Sequence, residues 1–191
     1  MTKILAFAGS SRTESFNKKL VAIAAQGARD AGADVTLIDL RDFPMPVFDQ
    51  DFEAEQGMPD VAQRFKQYMI ESDGILISSP EYNSGYSALL KNAIDWASRS
   101  ESADEKPLIA FTGKCVSIMA ASPGGLGGIR GLVSLRMLLG NLGMTVLPKQ
   151  VTVPGAASAF NQDGQLENER KQNAVINLGR ELVETLNKLN R

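Results

Sequence analysis

Residues 3–17 read KILAFAGSSRTESFN, and their character changes halfway along. Ile4 to Ala8 is an uninterrupted apolar run, which is typical of a strand buried on both faces of a parallel sheet. Gly9 ends this run, polar residues follow it, and a helical pattern of apolar residues begins at Phe16. The segment therefore predicts a buried strand, a polar loop and a helix in immediate succession.

The polar loop has the composition of a phosphate site. The first amides of a helix lack an internal partner and carry the positive end of the helix dipole, so they attract anions. Potential donors surround this helix start: Ser10, Ser11, Arg12, Thr13, Ser15 and Asn17. Glu14 is the only anionic side chain here, and we expect it to point away from a bound anion. Capping by Ser15 without any ligand is the alternative, but it explains only one of these residues. We therefore favour a site for one phosphate monoester.

Two other phosphate-binding loops are absent from the sequence. The chain contains no G-x-x-x-x-G-K-[ST] segment, which argues against nucleoside triphosphate hydrolysis. It also has no G-x-G-x-x-G after the first strand, which argues against a Rossmann dinucleotide site.

Length and composition indicate one globular unit. The 191 residues are 43% hydrophobic, which predicts a single domain over residues 1–191 with a substantial core. The net charge of −2 argues against nucleic acid or an acidic membrane as a partner. We find neither a transmembrane segment nor a signal peptide, and one cysteine suits a reducing compartment. The expected location is the cytoplasm.

The chain has no histidine and one cysteine, Cys115. A zinc site is therefore not expected, and the usual general base is missing. Cys115 enters an apolar run, which predicts a buried and inert thiol. We assign no catalytic residue and no metal ligand, and we expect a bound cofactor to carry any chemistry.

Alternating strand and helix patterns continue to the end of the chain. Further strands are predicted at 34–40, 74–79, 115–121 and within 144–153, and helices at 16–31, 59–72, from a Ser87 cap to about 98, 129–142 and 167–189. Five such units predict a doubly wound α/β fold, with a five-stranded parallel sheet and helices on both faces. The leading strand order is the flavodoxin-like 2-1-3-4-5.

In this strand order, the loops after strands one, three and four converge at one end of the sheet. The second of these loops is PEYNSG at residues 80–85, and the third is SPGGLGG at residues 122–128. The glycines of the third loop would let its backbone approach a flat ligand closely, although a merely flexible loop is the alternative. A phosphate at the first loop and a flat group between the other two describe flavin mononucleotide (FMN).

Three surface features have two interpretations each. The irregular segment 41–59 carries apolar residues that pack over the sheet edge or meet a second subunit. The helix after Ser87 has more apolar surface, including Trp96, than one face needs, which often marks a partner interface. Arg99 is either a solvated cation or a contact for an anionic substrate. The charged residues 101–106 predict a solvated loop.

Three motifs resemble those of the NADPH-dependent FMN reductase family, a flavodoxin-like group that includes bacterial quinone and chromate reductases. Residues 9–17 resemble its G-S-x-R-x-x-S-x-N phosphate loop. PEYN at 80–83 with LKNAIDW at 90–96 resembles its second motif, and SPGG at 122–125 its third flavin loop. The resemblance runs from about residue 3 to residue 153. Ser87 stands where many relatives would carry Pro, which we expect to affect the substrate side and not flavin binding.

The resemblance implies a role for each motif. Ser10, Arg12, Ser15 and Asn17 would hold the FMN phosphate, Pro80, Glu81, Tyr82 and Asn83 would border the isoalloxazine ring, and Ser122, Gly124 and Gly125 would lie along its other edge. Ser11, Phe16 and Pro123 complete the expected cofactor-binding set. Tyr82 would stack near the ring or donate a proton, and packing in the core is the alternative. The family also implies non-covalent FMN, NADPH or NADH as co-substrate, and a homodimer or homotetramer with the flavin near a subunit boundary.

The expected activity is hydride transfer from NAD(P)H, through FMN, to a quinone, flavin, chromate, azo or nitro compound. The main alternative is a flavodoxin-type electron carrier, which would pass single electrons to a protein partner. Such carriers are expected to be markedly acidic, and a net charge of −2 gives that alternative little support. A flavin-free phosphate binder would leave the second and third loops without a role.

Overall fold

The computed structural model describes residues 1–189, so the last two residues of the expected 1–191 domain lie outside it. The strands of its main sheet are β1 (Lys3–Ala8), β2 (Asp34–Asp39), β3 (Gly74–Ser78), β4 (Cys115–Ala121) and β5 (Thr145–Val153). The helices are α1 (Phe16–Asp30), α2 (Gln50–Gln56), α3 (Asp60–Glu71), α4 (Ala88–Ala97), α5 (Ile129–Asn141) and α6 (Glu169–Leu189). Short 3-10 turns lie at Leu40–Asp42 and Ala156–Ser158.

The main sheet is parallel and has the order β2-β1-β3-β4-β5, which confirms the predicted 2-1-3-4-5 arrangement. Ala8 at the end of β1 lies opposite Asp39 of β2 and Ser78 of β3. Ser78 lies opposite Met119, near the end of β4. The loops after β1, β3 and β4 therefore all begin at one edge of the sheet, as predicted.

The central strands contribute side chains to two cores, one on each face of the sheet. Ile4, Ala6 and Leu76 pack against α1 and α6. Leu5 and Phe7, which point the other way, pack against α3, α4 and α5. Alternate side chains of a strand point to opposite faces, so a strand with helices on both sides needs apolar residues at every position. This explains the uninterrupted apolar run at the start of the chain.

Helices α1 and α6 pack so closely that their backbones touch. A Cβ added to Gly179 on α6 would lie 1.9 Å from the Ala24 carbonyl oxygen on α1. A Cβ added to Gly27 on α1 would lie 2.0 Å from the Ile176 carbonyl oxygen on α6. The closing helix is thus fixed to the helix that begins at the polar loop.

The segment 41–59 was predicted to be irregular but contains a helix, α2. Asp49 caps α2 by accepting hydrogen bonds from the Asp51 and Phe52 amides. Phe48 and Phe52 meet the ring of Trp96 on α4 edge-on, with centroid distances of 5.0 and 6.1 Å. Phe48 and Phe52 therefore pack within the chain, against α4. Phe43 and Met45 pack in the core that contains Leu40, directly after edge strand β2, so packing over the sheet edge holds for them, whereas Val47 is 83% exposed. Trp96 is fully buried, so the prediction that the apolar excess of α4 marks a partner interface is wrong for this residue.

The charged stretch 101–106 is an exposed loop, as predicted, except that Glu105 is partly buried by its contact with Lys66. Lys66 on α3 is 1% exposed, and its Nζ lies 2.5 Å from Glu105 and 3.1 Å from Glu101. The same ammonium donates to the Arg99 carbonyl oxygen at 2.8 Å. A buried cation needs such partners, so Lys66 fixes this loop to α3.

The remaining differences are small shifts of helix ends. Pro59 precedes α3 with an extended ψ of 141°, so the helix starts one residue later than predicted. The last helix starts at Glu169, two residues after the predicted position. Between residues 1 and 189, no helix has both the length and the apolar composition needed to cross a membrane.

Candidate functional site

The three loops after β1, β3 and β4 enclose a pocket of about 210 Å³ at the carboxyl edge of the sheet. Its lining comes from all three loops: Ser10, Arg12, Ser15, Phe16, Asn17, Pro80, Glu81, Tyr82, Ala121, Ser122 and Pro123. Ten of these residues belong to the set expected from the sequence. The strand order therefore brings together motifs that are separated by more than a hundred residues.

The start of α1 forms one wall of this pocket. Ser15 is the N-cap, and its Oγ accepts a hydrogen bond from the Lys18 amide at 3.4 Å. Ser10 Oγ accepts from the Arg12 amide, also at 3.4 Å. Both serines are buried, and each hydroxyl still has its own proton to donate. The first turn of α1 contains no acidic residue. Capping is confirmed, and this wall also presents donors to the pocket.

Arg12 supplies a cation at the same wall. Its guanidinium carbon lies 4.7 Å from the centroid of the Phe16 ring, within the range of a cation–π contact. Among the ion pairs formed by residues 1–189, none involves Arg12. Glu14 pairs with Lys19 at 3.5 Å and does not line the pocket, as expected. The charge of Arg12 thus has no carboxylate partner in the described part of the chain.

The side chain of Asn17 is directed into the structure. Its Nδ2 donates to the Ala121 carbonyl oxygen at 2.9 Å. Its Oδ1 accepts from the Ala121 amide at 2.9 Å and from Ser78 Oγ at 2.8 Å. These bonds use three of the four hydrogen-bonding positions of the amide group. Asn17 therefore joins α1 to the ends of β3 and β4, a role that was not predicted from the sequence.

The second loop folds into a small hairpin in which Glu81 and Tyr82 pair with Gly85 and Tyr86. Its two turn residues, Asn83 and Ser84, have φ values of 52° and 66°, as a type I′ turn requires. Tyr82 is 59% exposed, so the alternative that it packs in the core was wrong.

Glu81 connects this hairpin to α5. Its carboxylate accepts from the Gly131 amide at 3.0 Å and pairs with the Arg130 Nε at 3.2 Å. Helix α5 has no side-chain cap of its own, so a carboxylate from the second loop satisfies one of its free first-turn amides. The second and third loops are therefore held in a fixed relation.

The glycines of the third loop fall into two pairs. Gly127 and Gly128 have φ values of 62° and 91°, and a Cβ on either would lie 2.7 Å from a neighbouring atom. Backbone conformation and packing therefore require glycine at both positions. Gly124 and Gly125 have no positive φ, and a Cβ at Gly125 would meet nothing within 4 Å. Packing within the chain gives no reason for glycine at 124 and 125.

Some expected residues lie outside the pocket lining: Ser11, Asn83, Gly124 and Gly125 are exposed nearby on the same three loops. Ala121 lines the pocket but was missed, because an alanine that ends an apolar strand carries no sequence signal.

Ser87 caps α4, as predicted, by accepting from the Leu90 amide, and its hydroxyl donates to the Gly9 carbonyl oxygen at 2.6 Å.

Two other residues singled out by sequence lie away from the pocket. Arg99 pairs with Glu53 at 2.8 Å, and this hydrogen bond raises the pKa of the guanidinium. It therefore holds α2 and is not a solvated cation. Cys115 is 1% exposed, and burial raises the pKa of its thiol, which agrees with an inert cysteine. Throughout residues 1–189, no three His, Cys, Asp or Glu side chains form a cluster that could bind a metal.

Comparison with known proteins identifies the family of this chain. Residues 2–158 match the family model for NADPH-dependent FMN reductase. The chain is 33% identical over 174 residues to an NAD(P)H-dependent FMN reductase of Pseudomonas aeruginosa, covering 91% of this chain and 89% of the relative. It is 32% identical over 164 residues to a quinone reductase of Pseudomonas putida, covering 85% and 83%.

A solved structure extends the likeness to the whole fold. The flavoenzyme NAD(P)H:(acceptor) oxidoreductase of Paracoccus denitrificans superimposes with a TM-score of 0.78 at 25% identity, covering 98% of each chain. The family match and the two sequence relatives each span most of the chain. The chain belongs to the NADPH-dependent FMN reductase family.

Proposed function

We propose that this protein is an FMN-dependent NAD(P)H oxidoreductase that reduces quinones and similar small acceptors. Its family and its relatives support this activity. The observation that carries the proposal is the convergence of three loops on one pocket beside an arginine with no acidic partner among the described residues. The loops belong to one folding unit, which we take to be a single domain.

The start of α1 fits a phosphate dianion. The two buried serine hydroxyls, Ser10 and Ser15, and the first amides of α1 can donate hydrogen bonds, and Arg12 adds a charge-assisted one. Within residues 1–189 no carboxylate forms an ion pair with this cation, and the nearby Glu14 pairs with Lys19. Asn17 has one amide proton left for a ligand, so its main contribution would be to hold the wall in place.

The second and third loops fit a flat ring. Gly124 and Gly125 have space where a side chain would be, so their backbone can approach a ligand closely. Pro80, Glu81 and Tyr82 of the second loop line the pocket, together with Ser122 and Pro123 of the third. The volume of about 210 Å³ is below the roughly 300–1,000 Å³ of complete small-molecule sites. A complete FMN would therefore extend beyond this pocket, and we infer that part of the bound ligand stays accessible to a nicotinamide or an acceptor.

Bound FMN would supply the redox chemistry by accepting a hydride from NAD(P)H and passing electrons to the acceptor. The protein's own residues bind the phosphate, orient the ring and leave one side open. No histidine is required for this role, in keeping with the composition. We assign no catalytic residue.

We also propose that the chain forms a homodimer or homotetramer in the cytoplasm. Val133 and Met137 lie one turn apart on the outer face of α5 and are 66% and 65% exposed. Tyr82, which lines the pocket, and Leu126 on the third loop are exposed too. Neighbouring exposed apolar side chains of this kind are typical of protein interfaces. Replacing Val133 and Met137 by lysine should lower the mass measured by light scattering, and an unchanged mass would contradict this assignment.

The decisive experiment tests colour and reactivity together. The protein is purified without added flavin, its visible spectrum is recorded, and NADPH or NADH is added without oxygen. We expect flavin bands that either nucleotide bleaches quickly and that a quinone restores, and free FMN at the same concentration is the control. Bands that only dithionite bleaches would indicate an electron carrier. A colourless protein that takes up no FMN would contradict the proposal.

A further inference from the structure

The segment between β5 and α6 presents one aromatic side chain, Phe160, towards the phosphate loop. Phe160 pairs with Leu166 in an antiparallel bridge. The Asn161 amide donates to the Gln165 carbonyl oxygen at 2.9 Å, and the Glu167 amide donates to the Ala159 carbonyl oxygen at 3.0 Å. These bonds make residues 159–167 a closed hairpin, which we call the C-terminal hairpin.

The C-terminal hairpin is fixed to the body of the protein. Leu166 is buried in the core between the sheet and the α1–α6 pair. Asn161 Oδ1 accepts from the Asp163 and Gln165 amides at 3.0 and 2.9 Å, which closes the turn from within. The backbone of the hairpin therefore holds Phe160 in place, whatever side chain stands at position 160.

Phe160 reaches the pocket through two contacts in series. Its ring is nearly parallel to that of Phe16, with 7° between the planes and 6.1 Å between the centroids. Phe16 in turn lies 4.7 Å from the guanidinium carbon of Arg12. Both distances are within the ranges of favourable aromatic and cation–π contacts. Phe16 and Arg12 line the pocket, and Phe160 does not.

We propose that Phe160 is a positioning residue for the flavin phosphate, which acts through Phe16 to hold the Arg12 guanidinium at the start of α1. This inference rests on the proposed function. Phe160 lies beyond residues 2–158, the part of the chain that the family model matches. An arginine side chain has many rotamers, and each one excluded before binding lowers the entropy lost when the ligand binds. Arg12 itself is exposed, so packing on Phe16 is what limits its rotamers.

The test compares FMN with riboflavin, which has the same ring and no phosphate. Apo-protein is titrated with each flavin, and the quenching of flavin fluorescence gives the Kd. Phe160→Leu and Phe160→Met remove the ring but keep most of its volume, and Phe160→Tyr keeps the ring. The ring-free variants should raise the Kd for FMN about two- to tenfold and leave the Kd for riboflavin unchanged. Phe160→Tyr should behave as the wild type does.

A double variant separates this role from general stabilisation. If Phe160 acts through Arg12, then adding Phe160→Leu to Arg12→Ala should weaken FMN binding no further. Equal weakening of FMN and riboflavin binding, or an unchanged FMN Kd in the folded ring-free variants, would overturn the inference. A wild-type protein that binds FMN no better than riboflavin would overturn the proposed phosphate site, and this inference with it. Failure of the proposed phosphate site would thus be seen in the wild-type protein, and failure of the inference about Phe160 in its variants.

Discussion

Ser15 and Asn17 stand two positions apart at the start of α1, yet their side chains serve different parts of the structure. Ser15 caps the helix and lines the pocket. Asn17 bonds to Ser78 and Ala121 and so fixes the helix start against β3 and β4. The geometry of the phosphate loop therefore depends on a buried amide as much as on the residues that face the ligand.

Arg12 is the residue whose removal should affect FMN binding most selectively. A charge-assisted hydrogen bond to a phosphate contributes about 1.5–3 kcal/mol, so Arg12→Ala should weaken FMN binding about 10- to 150-fold. Riboflavin binding should not change, since riboflavin has no phosphate. Titration by fluorescence measures both values. The matched control is Arg180→Ala, which removes an exposed cation from α6. Equal FMN affinity in the wild type and in Arg12→Ala would contradict the role of Arg12.

Gly125 and Gly128 should respond differently to the same substitution. Gly125→Ala meets no atom of the chain within 4 Å, so stability should stay the same while FMN binding weakens by about 1–3 kcal/mol. Gly128→Ala places a Cβ 2.7 Å from that of Ala120 at a φ of 91°, so it should lower the free energy of unfolding by at least about 1–2 kcal/mol. Denaturant unfolding and FMN titration of both variants measure the difference. Unchanged FMN affinity in Gly125→Ala would show that this glycine does not approach the flavin.

At the scale of elements, glycines also decide how α6 meets α1. A Cβ at Gly179 would lie 1.9 Å from a backbone oxygen, so Gly179→Ala should separate the helices and cost about 1–3 kcal/mol of unfolding free energy. Gly140 on α5 is the matched control, because a Cβ there meets nothing within 4 Å. Gly140→Ala should stabilise the protein by about 0.5–1 kcal/mol through helix propensity. Thermal and urea unfolding measure both, and a stabilised Gly179→Ala variant would contradict the close packing.

The elements that the sequence predicted well are those with a strong local pattern. The apolar run from Ile4 to Ala8 predicts a strand, and the apolar residues at helical spacing in α6 predict a helix, without further information. Helix α2 was missed, because its seven residues are mostly charged or polar and Phe52 alone provides a packing contact. Its cap at Asp49 was the available local signal.

The sequence was sufficient to predict which loops form the site, but not the hydrogen bonds and aromatic contacts that hold these loops together. Strand order brings Arg12, Tyr82 and Ser122 to one edge, and this follows from the alternation of strands and helices. The contact between Asn17 and Ala121 joins residues 104 positions apart and leaves no trace in local sequence. The stack of Phe16 on Phe160 is equally remote in sequence, and Phe160 lies beyond residue 153, where the resemblance to the family ends.

At the scale of the whole molecule, FMN should stabilise the fold, because the pocket joins loops from three separate strands. A ligand that binds only the folded chain adds about 2.7 kcal/mol at a free concentration of 100 times its Kd. For a chain of this size, each kcal/mol corresponds to about 2–4 °C, so the Tm of flavin-stripped protein should rise by roughly 5–10 °C when FMN is added. Riboflavin at the same concentration should raise the Tm less, because it lacks the phosphate that Arg12 binds. Differential scanning calorimetry with increasing FMN measures the shift, and a Tm that is independent of FMN concentration would contradict binding of FMN to the folded chain.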